Sequence, residues 1–165
     1  MLAAALRPGL AFFMRSMLPA FLCAFLFPQA AAAAEPLGEW LVAGRDARIR
    51  IADCGGALWG VVSWEKDPGV DSKNPDPAKR SRPTLGMAVL LGLKPQAANR
   101  WDGALYNAEN GKTYSGGITR LGEDMLRVRG CVLGILCGGE TWTRVKAPEG
   151  GSAESDAALC SRMSR

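Results

Sequence analysis

Hydrophobic and polar residues alternate in several short segments of the chain after residue 35. The pattern is clearest at residues 48–51, Arg-Ile-Arg-Ile, and it returns at residues 125–129 and 140–145. A period of two puts every second side chain on one face, which is typical of a β-strand with one buried face. Richness in β-branched and aromatic residues predicts further strands at residues 38–42, 57–64, 84–91, 100–106 and 112–120.

Turn-forming sequences separate these eight segments. Asn110-Gly111 and Gly55-Gly56 supply the positive φ angles that tight hairpin turns require. No amphipathic helical pattern of useful length follows residue 34. Many short strands joined by turns are typical of an antiparallel up-and-down β-barrel or of a β-sandwich. We therefore predict an all-β domain of about eight strands over residues 35–146.

Two segments depart from the strand pattern. Residues 66–83 are polar and rich in proline, which restricts the backbone, so we predict an ordered loop packed over one rim of the barrel. Residues 147–165 are mostly small and polar, which predicts a flexible polar C-terminal tail.

The first 34 residues have the organisation of a secretory signal peptide. Arg7 and Arg15 precede an apolar run at residues 17–27, and small residues follow at 30–34. A basic start, an apolar run of about 7–15 residues and an Ala-x-Ala site together predict cleavage, here before Glu35. The apolar run falls short of the ~20 residues that a membrane span needs. We expect a periplasmic or secreted protein with no stable membrane anchor after cleavage.

Cysteine usage agrees with export. Of the five cysteines, Cys23 lies in the predicted signal peptide, which leaves Cys54, Cys131, Cys137 and Cys160. An even number of cysteines in an oxidising compartment predicts disulfides. Four cysteines allow three pairings, and the sequence does not choose among them. Cys131 and Cys137 flank a short loop and could close a hairpin, in which case Cys54 is either free or paired with Cys160. A structural zinc site is not favoured, because it would need two close pairs of cysteines.

Composition excludes several classes of function. The chain contains no histidine, which removes Ser-His-Asp and Cys-His catalytic sites and His-ligated metals. No serine lies in a Gly-x-Ser-x-Gly turn. The net charge of +4 comes from 20 basic and 16 acidic residues without the clustered basic face that nucleic-acid binding requires. We expect a protein that is not an enzyme, holds no metal or other cofactor and binds no nucleic acid.

Short motifs follow one another in a characteristic order between residues 37 and 145. The most specific are Asn74-Pro75-Asp76-Pro77 and Gly111-Lys112-Thr113-Tyr114-Ser115-Gly116. The others are Gly38-Glu39-Trp40, Cys54-Gly55-Gly56, Arg80, Arg82-Pro83, Gly86, Arg129-Gly130-Cys131 and Thr141-Trp142-Thr143-Arg144. This series resembles the bacterial exported family catalogued as domain of unknown function 2147. The resemblance implies a lipocalin-like (calycin) β-barrel, and it implies no activity.

Trp40 and Arg144 have a structural interpretation. Calycin barrels resemble this chain in placing Gly-x-Trp on the first strand and an arginine on the last. When the first and last strands of a barrel pair, the guanidinium can stack on the indole. We therefore expect Trp40 and Arg144 to close one end of the barrel rather than to bind a ligand.

Candidate binding residues fall into two groups. Arg80 and Arg82 share a face if the loop is extended, and with Lys112 and Tyr114 they could form an anion-binding mouth. The favoured alternative is that both arginines hold the loop to the barrel by pairing with Asp76 or Glu65.

The second group is aromatic. Trp59 and Trp64 could line a pocket, as could Trp101, or they could fill the core of a small barrel.

Two further motifs have ordinary explanations. Gly111-Lys112-Thr113 lacks both the upstream glycine and the following helix of a phosphate-binding loop, so a hairpin turn is favoured. Asp67, Asp71, Asn74 and Asp76 do not match the spacing of a calcium loop, and Asn or Asp before proline is a common turn former.

Two functions are compatible with these features. The first is an exported protein that holds a small apolar or amphipathic ligand inside the barrel. The alternative is a non-catalytic structural or interaction module of the cell envelope that uses the loop at residues 66–83.

Removal of the signal peptide is directly testable. We expect the protein isolated from its native cell envelope or medium to begin at Glu35, because the small residues before it form the cleavage site. N-terminal sequencing or intact mass measures this, and a mature chain that begins at Met1 would contradict it.

Overall fold

Eight antiparallel strands, each paired with the next in sequence, form a closed barrel in the part of the chain that the computed structural model describes, residues 35–146 and 155–163. The strands are β1 (Gly38–Leu41), β2 (Ala47–Asp53), β3 (Leu58–Glu65), β4 (Ala88–Ala97), β5 (Arg100–Asn107), β6 (Lys112–Arg120), β7 (Met125–Val132) and β8 (Leu136–Arg144). The prediction of an up-and-down barrel is confirmed. The predicted signal peptide, residues 1–34, and residues 147–154 and 164–165 of the predicted tail lie outside the described residues.

The alternating pattern of the strands builds the core. On β2 the side chains of Ile49 and Ile51 are buried inside the barrel, while the alternating residues Arg48 and Arg50 remain partly exposed. The core continues around all eight strands with these buried side chains: Trp40, Leu58, Val62, Leu90, Leu93, Trp101, Leu105, Ile118, Leu126, Val128 and Trp142.

The start of β4 differs from the predicted position. Residues 84–87 form a turn, in which the amide of Met87 donates to the carbonyl oxygen of Thr84 at 3.0 Å. Gly86 adopts φ +81° in this turn. The strand therefore begins at Ala88 and extends to Ala97 with two shifts in its pairing to β5.

Side chains on β1 and β8 fill one end of the barrel. Trp40 and Arg144 are register partners, and the guanidinium lies 4.3 Å from the centre of the indole ring. Arg144 also donates to the carbonyl oxygens of Leu37 at 2.6 Å and Glu123 at 2.7 Å. The indole of Trp40 is fully buried and donates to the carbonyl oxygen of Pro36 at 2.8 Å. This end is therefore packed by stacking and by hydrogen bonds to backbone carbonyls.

The end of the chain is not a flexible tail at residues 155–163, so this part of the prediction was wrong. Residues Asp156–Met163 form an α-helix, α1, whose Leu159 is fully buried against Ala52 and Val61 on the outside of the barrel. Asp156 pairs with Arg50 at 2.7 Å. The helix was missed because it is short and weakly amphipathic, and its position depends on contacts with distant parts of the chain.

Two disulfides connect the four described cysteines. Cys131 and Cys137 join the adjacent strands β7 and β8 as register partners. Cys54 and Cys160 join the turn after β2 to α1, with their Cα atoms 5.3 Å apart. The predicted Cys131–Cys137 disulfide is confirmed, and of the two alternatives for Cys54 the structure has the pair with Cys160. Disulfides are typical of an oxidising compartment outside the cytoplasm. Neither helical segment that the structure describes has the length and apolar content to cross a membrane.

Truncation of the buried indole should weaken the closed end. We expect Trp40→Ala to lower the free energy of unfolding by about 3–5 kcal/mol, the usual cost of removing a large core aromatic residue. Arg144→Ala should cost less, because its stacking contributes roughly 0.5–2 kcal/mol. Urea denaturation measures both, with Trp64→Ala as a control at a partly exposed indole. Equal and negligible losses for Trp40→Ala and Arg144→Ala would show that this pair does not close the barrel.

Candidate functional site

The barrel is open at the end opposite Trp40, where it contains a cavity of about 800 Å³. The mouth is bounded by the β1–β2, β5–β6 and β7–β8 turns and by the start of the loop at residues 66–83. The floor and walls are apolar and include Ile49, Val62, Leu90, Leu105 and Val128. A volume of this size is within the range of cavities that hold a drug-sized ligand, about 300–1,000 Å³.

Small residues on β7 and β8 keep this space open. Gly130 and Gly138 are register partners, and both line the cavity. A Cβ atom added to Gly138 would meet no other atom within 4 Å. The absence of side chains on this wall therefore leaves volume that larger residues would fill.

An exposed apolar tip extends the same wall outward. The β7–β8 turn carries Leu133 and Ile135, which are 88% and 78% exposed. Their neighbours Val132 and Leu136 line the cavity. The disulfide between Cys131 and Cys137 fixes the base of this turn. Apolar surface is thus continuous from the outside of the mouth to the cavity wall.

Polar side chains in the cavity lining include carboxylates, the amide of Asn107, and aromatic hydroxyl and indole groups. Tyr106, Tyr114 and Trp142 are in the lining. The indole Nε1 of Trp142 donates to a carboxylate oxygen of Glu140, which is also in the lining. The hydroxyl of Tyr114 accepts a hydrogen bond from the side chain of Asn110 at 2.9 Å. The cavity can therefore hold an apolar body and contact polar atoms near the mouth.

A buried ionic cluster attaches the loop at residues 66–83 to β5. The carboxylate of Asp71 is fully buried and accepts hydrogen bonds from the hydroxyl of Tyr106 and the side-chain amide of Asn74, each at 2.6 Å. It also pairs with Arg82 through Nε at 2.9 Å and a terminal nitrogen at 2.8 Å. Because Tyr106 lines the cavity, this cluster links the position of the loop to the cavity wall.

The cluster shifts the pKa values of its own members. Burial alone would raise the pKa of Asp71, but hydrogen bonds from Tyr106, Asn74 and Arg82, with the positive charge of Arg82, hold it below its usual value. Burial raises the pKa of Tyr106, and its hydrogen bond to Asp71 raises it further. The native cluster is therefore stabilised in the form with an ionised Asp71 and a protonated Tyr106.

The motif Asn74-Pro75-Asp76-Pro77 shapes the loop around this cluster. The side-chain oxygen of Asn74 accepts from the amide of Asp76 at 2.9 Å, and Asp76 caps a 3₁₀ helix at Pro77–Lys79. The loop also lies against the β5–β6 turn at Gly111, which has φ +67°. A Cβ atom there would lie 1.8 Å from the carbonyl oxygen of Lys73. Only glycine therefore permits this close approach.

Arg80 is used within the loop, whereas Arg82 also holds the loop to β5, because its guanidinium lies 5.7 Å from the ring centre of Tyr106. Arg80 donates to the carbonyl oxygen of Asn74 at 2.9 Å, and Arg82 pairs with Asp71. Neither lines the cavity, and their partners differ from the predicted Asp76 and Glu65. Lys112 is exposed at the first position of β6 and also lies outside the lining. The anion-binding mouth expected from these residues is not assembled, since only Tyr114 of that set lines the cavity.

The predicted aromatic residues Trp59 and Trp64 also lie outside the cavity lining. Trp59 packs against the cluster of Ala52, Val61 and Leu159 beneath α1. Trp64 is 38% exposed, with the guanidinium of Arg48 5.0 Å from its ring centre. The expectation failed because Trp59 faces outward on β3, and a shift in the β2–β3 pairing between Arg48 and Ile49 alters the register near Trp64.

Most of the residues that line the cavity were not among those predicted from the sequence. Glu140 and Trp142 are two positions apart on a predicted strand, so the sequence already indicates that their side chains lie on the same face. The pairing of Asp71 with Tyr106 had no such signal, because these residues are 35 positions apart and meet only when the loop folds onto β5.

Comparisons with known proteins agree with the fold. The family model described as "Uncharacterized protein conserved in bacteria (DUF2147)" matches residues 38–144. No curated protein matches the chain. A solved structure of protein HP1028 from Helicobacter pylori, whose title assigns it to the lipocalin family, is similar with a TM-score of 0.65 and 17% sequence identity. The alignment covers 79% of this chain and 99% of that one. At this identity the similarity establishes a lipocalin-like fold alone.

The buried cluster predicts a pH-dependent contribution to stability. We expect Asp71→Asn to lower the free energy of unfolding at pH 7 by about 2–4 kcal/mol, because it removes a buried charge that accepts three hydrogen bonds and forms an ion pair with Arg82. Since the native pKa of Asp71 is depressed, its contribution is complete above the unfolded pKa of about 3.9 and is lost as the pH falls through the native pKa.

Urea denaturation of both proteins between pH 7 and pH 3 measures this contribution. The control is Asp76→Asn, which makes the same change at an exposed helix cap and should cost no more than about 1 kcal/mol. A difference between wild type and Asp71→Asn that stays constant over this pH range would contradict the assignment.

Proposed function

Because the chain belongs to the bacterial family designated DUF2147 and its barrel contains an open cavity of about 800 Å³, we propose that it is an exported protein that binds a small apolar or amphipathic ligand inside the barrel. The cavity is the observation that supports this proposal most directly. Its apolar floor suits the body of such a ligand, and its carboxylates and aromatic residues suit a polar end near the mouth.

The entrance supports the same proposal. Leu133 and Ile135 at the β7–β8 tip offer exposed apolar surface that continues into the cavity through Val132 and Leu136. Burial of apolar ligand surface in such a cavity is favourable by about 25 cal/mol per Å². The barrel binds its ligand without transforming it, and it acts in the periplasm or outside the cell.

The alternative of an interaction module built on the loop at residues 66–83 draws less support from the contacts. Arg80 and Arg82, the two arginines on which that alternative would depend, are already used: both bind other residues of the loop, and Arg82 also lies over the ring of Tyr106 on β5. The loop contributes only Asp67 to the cavity lining among the residues that the structure describes. We therefore assign the loop the role of supporting the mouth.

A substitution that fills the cavity tests this function. We expect wild-type protein to bind the neutral apolar dye N-phenyl-1-naphthylamine with increased fluorescence. Gly138→Phe should reduce dye affinity about tenfold or more, because the ring enters open space in the cavity. Stability should not fall, since phenylalanine favours strands more than glycine does.

Gly122→Phe is the matched control. Gly122 also has open space around its Cβ position, but it lies in the β6–β7 turn at the closed end and outside the lining. It should leave dye binding unchanged. Absence of dye binding by the wild-type protein, or equal dye binding by the folded Gly138→Phe variant, would overturn the proposed site.

A further inference from the structure

The charges that line the cavity have one sign. Five carboxylates are in the lining, and no lysine or arginine is among the described residues that form it. The five are Asp46, Glu65, Asp67, Glu109 and Glu140. The whole chain has 20 basic and 16 acidic residues, so composition alone would not produce this separation. Even the sequence neighbours Arg45 and Lys66 are outside the lining.

Other parts of the protein do not neutralise these carboxylates. The ion pairs formed within the described residues use other acidic residues, including Asp71 and Asp156. Glu65 accepts a hydrogen bond from the hydroxyl of Thr84 at 2.8 Å, and Glu140 accepts one from Trp142. Both donors are neutral, so none of the five carboxylates forms an ion pair with the described residues.

The positions of the carboxylates define a polarity for the cavity. Asp46 lies in the β1–β2 turn, Glu109 lies in the β5–β6 turn, and Glu65 and Asp67 lie where β3 meets the loop. Glu140 lies on β8 beside Val128, its register partner, and faces the cavity. Charges of one sign around a cleft with apolar walls focus the electric field and concentrate ions of opposite sign. The mouth therefore attracts cations, while the floor remains apolar.

An organic cation fits this arrangement better than a metal ion. Within the described residues, no three metal-ligating side chains come close enough to hold a metal. The carboxylates instead surround the mouth, and Tyr114 and Trp142 add aromatic rings to the same lining, whereas the ring of Tyr106 already lies against the guanidinium of Arg82. Aromatic rings and carboxylates together attract ammonium and guanidinium groups.

We propose that the ligand is a cationic amphiphile, with an apolar body in the barrel and an ammonium or guanidinium group at the mouth near Glu140. This inference rests on the proposed function and specifies the class of ligand. It assigns Glu140, which faces the cavity beside its apolar wall, as the residue that contacts the cation. The carboxylates of the turns act at longer range and favour its entry.

Three probes with the same number of carbon atoms and different head groups test whether the cavity prefers a cation. Dodecylamine, dodecanol and dodecanoate are each titrated at pH 7 against the protein loaded with N-phenyl-1-naphthylamine, below the concentration at which the probe forms micelles, and displacement of the dye is measured. We expect dodecylamine to bind about 10- to 100-fold more tightly than dodecanol, the range for one hydrogen bond between charged groups. Dodecanoate should bind more weakly than dodecanol, and salt should reduce both differences.

Replacement of a single glutamate by glutamine tests which carboxylate produces the preference for dodecylamine. Glu140→Gln keeps an acceptor for the Trp142 indole but removes the charge, so it should lower dodecylamine affinity about tenfold and leave dodecanol affinity unchanged. The matched control is Glu123→Gln, which removes one charge from the β6–β7 turn at the closed end and should change neither affinity.

The outcomes separate this inference from the proposed function. Binding of the dye and dodecanol without a preference for dodecylamine would overturn the cationic ligand and leave the apolar cavity intact. A preference for dodecylamine that survives in Glu140→Gln would overturn the role of Glu140. Failure of the dye and all three probes to bind would overturn the proposed function itself.

Discussion

The fold depends on the pairing of β1 with β8 around a buried tryptophan. An eight-stranded antiparallel sheet has two edges, and closure removes both. Only two register pairs join these strands, Trp40 with Arg144 and Leu41 with Thr143. The short seam is reinforced by the stack of Arg144 on Trp40 and by hydrogen bonds from Arg144 to carbonyl oxygens of Leu37 and Glu123. Gly38, at φ +105°, brings the backbone beneath this guanidinium.

The packing of large side chains at one end of the barrel explains why the cavity lies at the other end. Large side chains such as Trp40, Trp101 and Leu126 are buried at the closed end. Toward the mouth, glycines on β7 and β8 replace them, and the remaining volume is bounded by apolar walls and carboxylates. The buried Asp71 cluster fixes the loop beside the mouth, so the rim has its own ionic anchor, separate from the apolar core. The Trp40–Arg144 pair and the open cavity therefore lie at opposite ends of one barrel.

Much of the fold could be predicted from the sequence, but few residues of the candidate site could. Strict alternation on β2 and the Asn110-Gly111 turn before β6 are local signals, and β6 begins and ends at the predicted residues. The interior of a barrel is harder to assign, because one shift in pairing reverses which side chains face inward. Such a shift follows Arg48, and the predicted aromatic ligand contacts Trp59 and Trp64 lie outside the lining. The helix at Asp156–Met163 also escaped prediction, since Leu159 and the disulfide of Cys160 hold it through contacts more than 90 residues distant in sequence.

Native mass spectrometry of the protein purified from its own envelope fraction without detergent tests ligand binding most directly. The account predicts a mass excess from a non-covalent ligand, removed by organic solvent and missing from the folded Gly138→Phe variant prepared in the same way. A ligand recovered in this form can be identified, and its charge compared with that of the cavity. Bare polypeptide mass for the wild-type protein, or the same mass excess on the Gly138→Phe variant, would contradict the claim that the barrel interior is the binding site.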